Sequence, residues 1–240
     1  MCASETAWQK SEARFGGPLR LSRRPVSVTF LDSEPSGIER FAGTEPSGCS
    51  FWRLAAEGRV FYTVPSDHFN CAVGAYTLNI PLSPEREKET EQTLQMMFGV
   101  GYIRPEDVPG IPRLSKTPAA TVFAPLGAAP VAPDVVLFAC RPSAAMLLNE
   151  AAIRAGSGGA LPPLGRPSCM AIPAALAAGT VSSLGCAGNR VYTGLGEDEL
   201  YIAVPGKDLE RVAAALEIIV SANQAIHDYA RGRRTELSTL

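Results

Sequence analysis

The sequence has neither a long apolar run nor an excess of charge of one sign. Its longest apolar runs are short or broken by proline, as in residues 117–130, and none approaches the ~20 apolar residues that a membrane-spanning helix needs. The formal net charge at pH 7 is −2, so no basic surface is expected to attract a nucleic acid or an anionic membrane. We therefore expect neither a nucleic-acid partner nor a membrane partner.

Short catalytic and metal-binding motifs are absent as well. The chain has no Cys-x-x-Cys pair, no His-Glu-x-x-His and no Gly-x-Ser-x-Gly. Neither glycine-rich stretch forms a phosphate-binding loop, because residues 16–17 follow no strand and residues 156–159 lack a lysine–serine ending. Only two histidines occur, and no short motif identifies a reaction.

Six cysteines are present, and the composition indicates how they are used. A hydrophobic content of 46% with 19% charged residues is typical of an ordinary globular protein. The first residues carry several charges and no apolar core segment, which is unlike a signal peptide, so we expect a cytoplasmic protein. Disulfides rarely persist there, so the cysteines are expected to be buried thiols, ligands or nucleophiles.

The order of predicted elements favours an α+β or α/β fold with two pseudo-symmetric strand–helix–strand halves packed as one globular domain. We expect the domain to span residues 19–234. Its halves are expected at about 25–126 and 133–206, and a C-terminal helix over about 208–231.

Two local predictions concern helices. A short surface helix is expected over residues 3–15, ended by Gly16, Gly17 and Pro18. A second helix, capped by Ser83, is expected to run to Gly99, with its methionines 96 and 97 in the core.

Two stretches of the chain, residues 48–76 and 168–192, share one outline. Each runs from a cysteine, through an apolar segment closed by a glycine, to a second cysteine. The four cysteines concerned are Cys49 and Cys71 in the first stretch and Cys169 and Cys186 in the second. This pairing predicts a pseudo-symmetric site of four thiols.

Thiolates are the preferred ligands of iron–sulfur clusters and of closed zinc sites. Glycines flank several of the four cysteines and let the backbone bend toward a shared centre. We therefore expect a [4Fe–4S] cluster at these cysteines, with zinc as the alternative. The competing interpretation is that they are small buried hydrophobes. Cys140, at the end of an apolar strand, is expected in the core, and Cys2 at a frayed terminus.

Two other residues are candidates for catalysis. His68 precedes Cys71 by three positions and can serve as the base of a nucleophilic thiol, or else as a structural hydrogen-bonding residue. Arg190 follows Cys186 by four positions and can hold an anion or stabilise a thiolate. Its alternative partner is one of the acidic residues 197–199.

These stretches resemble a family of bacterial and archaeal proteins catalogued as domain of unknown function 169. The resemblance is carried by PSGC at 46–49, AAEG at 55–58, NCAVG at 70–74, PDVVLF at 133–138, GCAGNR at 185–190, DEL at 198–200 and VPG at 204–206. It covers the chain from about Leu19 to Arg234 and implies a single domain. It also implies that Cys49, Cys71 and Cys186 are the residues of first interest for function, followed by Cys169.

The leading hypothesis is a cysteine-ligated metal-centre protein of redox function that acts on or senses a small molecule. One alternative is a metal-free thiol enzyme with Cys71 or Cys186 as nucleophile, His68 as base and Arg190 as anion clamp. The other is a small-molecule binding module with structural cysteines. Expected partners are a small molecule or a redox partner, and a homo-oligomer is compatible with the sequence.

Overall fold

The computed structural model describes residues 7–159 and 161–238, and the described strands form one six-stranded sheet. The strands are β1 (Val26–Leu31), β2 (Phe61–Thr63), β3 (Ala120–Pro125), β4 (Val135–Cys140), β5 (Val181–Ser183) and β6 (Leu200–Pro205). Their order across the sheet is β2-β3-β1-β4-β6-β5, and every neighbouring pair is antiparallel. The fold is therefore α+β, and the parallel sheet of an α/β fold is not found among the described strands.

Eight α-helices accompany these strands in the described part of the chain. They are α1 (Ala7–Leu19), α2 (Ser50–Ala56), α3 (Ala72–Thr77), α4 (Pro84–Gly99), α5 (Pro142–Arg154), α6 (Ala171–Ala178), α7 (Ala187–Thr193) and α8 (Leu209–Ser238). Short 3₁₀ turns lie at Pro65–His68, Pro105–Gly110, Leu126–Ala128, Ser168–Met170 and Gly206–Asp208. None of the described helices combines the length and the apolar character needed to cross a bilayer.

Helices cover both faces of the sheet, which explains the unbroken apolar sequence of β4. Val135 and Leu137 pack in a cluster with side chains of α2 and α6. Val136 and Phe138 point to the opposite face and pack with side chains of α1, α5 and α8. Successive strand residues alternate between faces, so a strand buried on both sides reads as a continuous apolar run.

The pairing of β1 with β4 joins the first part of the chain to the second. On one side of this pairing lie β3 and then β2, and on the other side lie β6 and then β5. Helix α2 lies between β1 and β2 as α6 lies between β4 and β5, and α3 lies between β2 and β3 as α7 lies between β5 and β6, whereas α4 and α5 have no counterparts. This is the element order that an internal repeat requires, and the repeat itself stays a prediction that superposition of residues 25–126 on 133–206 tests.

Helix α1 does not end where the sequence predicts. It continues through Gly16, Gly17 and Pro18 to Leu19, because Phe15 and Leu19 lie one turn apart and are both buried under it. Phe15 also packs on Phe138 of β4 with ring centroids 4.8 Å apart. Burial of these side chains outweighs the low helix propensity of the two glycines. The predicted beginning of this helix and Cys2 lie outside the described residues.

Helix α4 corrects a second expectation. It contains no buried residue, and Met96 is 55% exposed, so Met96 is not in the core as predicted. Met97 is half-buried and faces a cavity. The helix begins at the predicted cap, since the Ser83 side chain accepts a hydrogen bond from the Arg86 backbone N–H at 3.4 Å. Helix α4 thus lies on the outside of the protein and forms one wall of this cavity.

Candidate functional site: a cavity lined by four cysteines

The four cysteines of the two similar stretches line one cavity of about 440 Å³. A volume of this size is typical of a small-molecule or cofactor site. Each cysteine comes from a different segment, and the set is Cys49, Cys71, Cys169 and Cys186. All four are free thiols. Folding therefore brings together, around one space, the thiols that the sequence predicts as a shared site.

Each of the four cysteines lies where a helical segment begins. Cys49, Cys71 and Cys186 immediately precede α2, α3 and α7. Cys169 is part of the 3₁₀ turn Ser168–Met170, which leads directly into α6. The backbone N–H groups at such positions lack helical partners and favour negative charge nearby. The four cysteines therefore share one kind of local position, at the start of a helical segment.

In the first half, a buried serine links two of the thiols. The Ser47 hydroxyl lies 3.0 Å from the Cys49 sulfur and 3.7 Å from the Cys71 sulfur. The Cys71 sulfur also accepts a hydrogen bond from the Gly74 backbone N–H at 3.2 Å. These contacts fix the orientation of both side chains before any ligand binds.

Close approach of two glycines brings these two cysteines together. A Cβ atom on Gly48 would lie 3.9 Å from the Gly74 Cα, and a Cβ on Gly74 would lie 3.7 Å from the Gly48 Cα. A Cβ on Gly74 would also lie 3.1 Å from the Cys71 sulfur. A larger residue at position 74 would thus crowd the Cys71 sulfur, which explains why this position is a glycine.

The second half also uses a serine to hold a cysteine. The Ser168 hydroxyl is buried and accepts a hydrogen bond from the Cys186 backbone N–H at 2.5 Å. The Cys169 thiol points toward the carbonyl oxygen of Val73 at 3.9 Å. Because Val73 belongs to α3, this contact links the second pair of cysteines to the first.

Burial keeps two of the thiols protonated at neutral pH. It raises the pKa of Cys49 to about 11, and the neighbouring Ser47 hydroxyl offsets part of the rise. Burial also raises the pKa of Cys169 well above its ordinary value, with a further contribution from Cys71. A bound cation or cluster would remove this penalty by supplying positive charge.

The thiols share a space but do not converge on one point. Within residues 7–159 and 161–238, no three His, Cys, Asp or Glu side chains stand close enough together to hold a single metal ion. A closed zinc site places four ligands around one ion. The four thiols are therefore not arranged as a closed zinc site.

Asn189 adds an unsatisfied polar group at the edge of the site. It is 1% exposed, lines the cavity, and neither its amide nitrogen nor its amide oxygen has a partner at hydrogen-bond geometry. The amide lies near enough to Cys49 to lower the pKa of that thiol. A buried amide without partners costs folding free energy, so a ligand-bound state in which it donates to sulfur would recover that cost.

His68 does not reach the cavity that the four cysteines line. It is 2% exposed, and its Nε2 lies 2.9 Å from the Thr63 hydroxyl. Its ring packs edge-on against Phe51 with centroids 5.0 Å apart. Burial lowers the pKa of His68 to about 4, so it is neutral at pH 7 and a weak base. These contacts favour the structural interpretation of His68.

Arg190, the predicted anion clamp, does not line this cavity. Its guanidinium donates to the backbone carbonyls of Leu184, Gly196 and Glu199. Among the described residues it makes no ion pair with the acidic side chains at 197–199. With its donors directed at three carbonyls, Arg190 joins the end of β5 to the segment between α7 and β6.

Sequence reasoning missed the arginine that does line the cavity. Arg166 lies over the Tyr102 ring, with its guanidinium carbon 4.3 Å from the ring centroid. The Tyr102 hydroxyl in turn accepts a hydrogen bond from the Ala187 backbone N–H at 3.1 Å. No local motif marks Arg166, because its position depends on a contact with a distant segment.

Comparison with known proteins places the chain in a family. The profile of the family described as DUF169, Uncharacterised ArCR, matches residues 17–215, and the chain belongs to this family. A protein of Methanocaldococcus jannaschii, named "Uncharacterized protein MJ0308", is 26% identical over 212 residues, which cover 83% of this chain and 89% of that protein. No solved structure matches the chain.

The raised thiol pKa values predict a loss of stability at alkaline pH. The unfolded chain releases the Cys49 proton near pH 9, whereas the folded protein holds it to about pH 11, so rising pH favours unfolding between these values. Cys49 alone should lower the free energy of unfolding by about 1.4 kcal/mol per pH unit there. Denaturant unfolding of reduced, metal-free protein at pH 8.5 to 10.5 should give a shallower pH dependence for Cys49→Ala. Equal slopes for the two proteins would contradict the assignment.

Proposed function

We propose that this member of the DUF169 family binds a [4Fe–4S] cluster through Cys49, Cys71, Cys169 and Cys186. The observation that carries the proposal is that all four thiols, from four separate segments, line one cavity. Four cysteine thiolates are the ordinary ligand set of such a cluster.

We propose a cluster rather than zinc because the ligands of a cluster do not have to surround a single ion. No three potential ligands among the described residues are arranged around a single ion. In a cluster each thiolate binds a different iron, so its ligands stand further apart than those of one tetrahedral ion. The apolar residues that line the rest of the cavity would exclude water from the bound group.

When bound, a cluster of this kind supplies one-electron chemistry or an iron atom that accepts a lone pair. The chain's own residues orient the ligands. Ser47 positions Cys49 and Cys71, and Ser168 positions the backbone at Cys186. The Asn189 amide would donate to the Cys49 thiolate after its proton is lost, which lowers the cost of burying that charge.

We place this activity in the cytoplasm, where free thiols persist and cluster ligands stay reduced. We expect the protein to interact with a small molecule or with a redox partner. With a net charge of −2, neither a nucleic acid nor a membrane surface belongs to the proposal.

A metal-free binding module is the second candidate, and the size and apolar lining of the cavity favour it. A thiol enzyme that uses His68 and Arg190 has less support. Both residues lie outside the cavity lining, and His68 has a pKa of about 4, which is low for a general base at neutral pH.

Iron content tests the proposal through single substitutions. Protein purified without oxygen should hold about four irons per chain and absorb broadly near 400 nm. Changing any one of the four cavity cysteines to serine should remove most of the iron and colour, because each ligand binds one corner of the cluster. Cys140→Ser is the matched control, since Cys140 is buried in β4 away from the cavity.

The control variant should keep its iron. Folded, reduced protein without iron would contradict the proposal and leave the binding module as the better account. One zinc per chain would retain the four-thiol site but give it a structural role. Loss of iron in Cys140→Ser to the same extent as in the cavity variants would point to general misfolding and also count against the site.

Asn189→Leu should change the cluster's potential while preserving its iron. Leucine keeps the side-chain volume but has no N–H to donate to the Cys49 sulfur. Hydrogen bonds to sulfur raise the reduction potential of iron–sulfur clusters, so we expect a more negative potential in the variant. Potentiometric titration followed by visible or electron paramagnetic resonance spectroscopy measures it. An unchanged potential would show that the amide does not act on the thiolate.

A further inference from the structure

The cavity is larger than a cluster requires. The core of a [4Fe–4S] cluster has only eight atoms, whereas cavities of roughly 300–1,000 Å³ hold drug-sized ligands. The cavity measures about 440 Å³. Space for a second occupant therefore remains beside the thiols.

One wall of this space is apolar and comes from elements that are not part of the core. Helix α4 contributes Leu94 and Met97, and the segment after it contributes Val100, Ile103 and Val108. Helix α4 has no buried residue, and Val100 is 70% exposed. An apolar ligand would cover these apolar side chains, which is favourable because their surface would leave water.

One charged side chain lines the cavity among the described residues, and it is Arg166. In the described part of the chain no carboxylate lies within ion-pair distance of it. The Arg166 guanidinium carbon lies 4.3 Å from the Tyr102 ring centroid, and the side chain is exposed, so its N–H groups remain available to a ligand.

The Tyr102 hydroxyl lies in the same lining and extends this polar site. It accepts a hydrogen bond from the Ala187 backbone N–H at 3.1 Å, so its own proton remains to be donated. A guanidinium and a phenol on one side of an apolar cavity suit a carboxylate, which accepts several hydrogen bonds in one plane.

We infer that the cavity binds a monocarboxylate with an apolar body, its carboxylate on Arg166 and Tyr102 and its body along α4. This names the ligand class of the proposed function and rests on it, since the ligand would lie beside the four thiols. Arg166 thus takes the role of anion-binding residue that the sequence assigns to Arg190.

Decanoate and its neutral counterpart 1-decanol are suitable probes for calorimetric titration. We expect wild-type protein to bind decanoate more tightly than 1-decanol. Arg166→Gln should weaken decanoate binding about tenfold or more and leave 1-decanol binding unchanged, because only the charged hydrogen bonds are lost. Leu94→Ser should weaken binding of both. Arg154→Gln, an exposed arginine at the end of α5, should alter neither.

Titrations on iron-containing protein and on protein stripped by a chelator separate this inference from the cluster. Arg166-dependent binding to protein that never holds iron would sustain the ligand class while the cluster proposal fails. Absence of decanoate binding to iron-loaded wild type would overturn the inference while the cluster stands. Equal decanoate affinity in wild type and in folded Arg166→Gln, checked by circular dichroism, would also overturn it.

Discussion

The antiparallel pairing of β1 with β4 is the constraint on which the site depends. Val26, Ser27 and Val28 pair with Leu137, Val136 and Val135 at the centre of the sheet. Because α2 and α6 pack on the same face of this sheet, the pairing sets the segments before both helices side by side. The cysteines at those helix starts then face one cavity. Core packing and thiol placement are consequences of the same central contact.

Burial of the thiols in this cavity affects whether they are protonated. The cavity that gathers the thiols also removes them from water, which raises the pKa of Cys49 and of Cys169. Protonated thiols are stable there without a ligand, whereas thiolates need a compensating positive charge. The proposed metal centre would supply that charge, and the buried Asn189 amide, which lacks a hydrogen-bond partner, would support the Cys49 thiolate.

Sequence patterns predicted the features of the fold that depend on residues close together in the chain. The buried strands follow from apolar, β-branched runs, and the start of α4 follows from the Ser83 cap. The repeated outline around the cysteines led to the expectation that all four share a site, and all four line one cavity. The surroundings of His68 and Arg190 could not be read from sequence patterns, because they depend on how the chain turns: Thr63 and Phe51 contact His68, and three backbone carbonyls accept from Arg190. Arg166 was missed because only the fold brings Tyr102 beneath it.

The central claim is that four thiolates hold one iron–sulfur centre in this cavity. X-ray absorption at the iron edge, on protein prepared without oxygen, tests it most directly because it reports the atoms bound to iron. If the four thiolates hold a cluster, iron should be bound by sulfur alone, with a short iron–iron distance that only a cluster gives. Iron bound by nitrogen or oxygen, isolated iron without an iron neighbour, or no iron above background would contradict it.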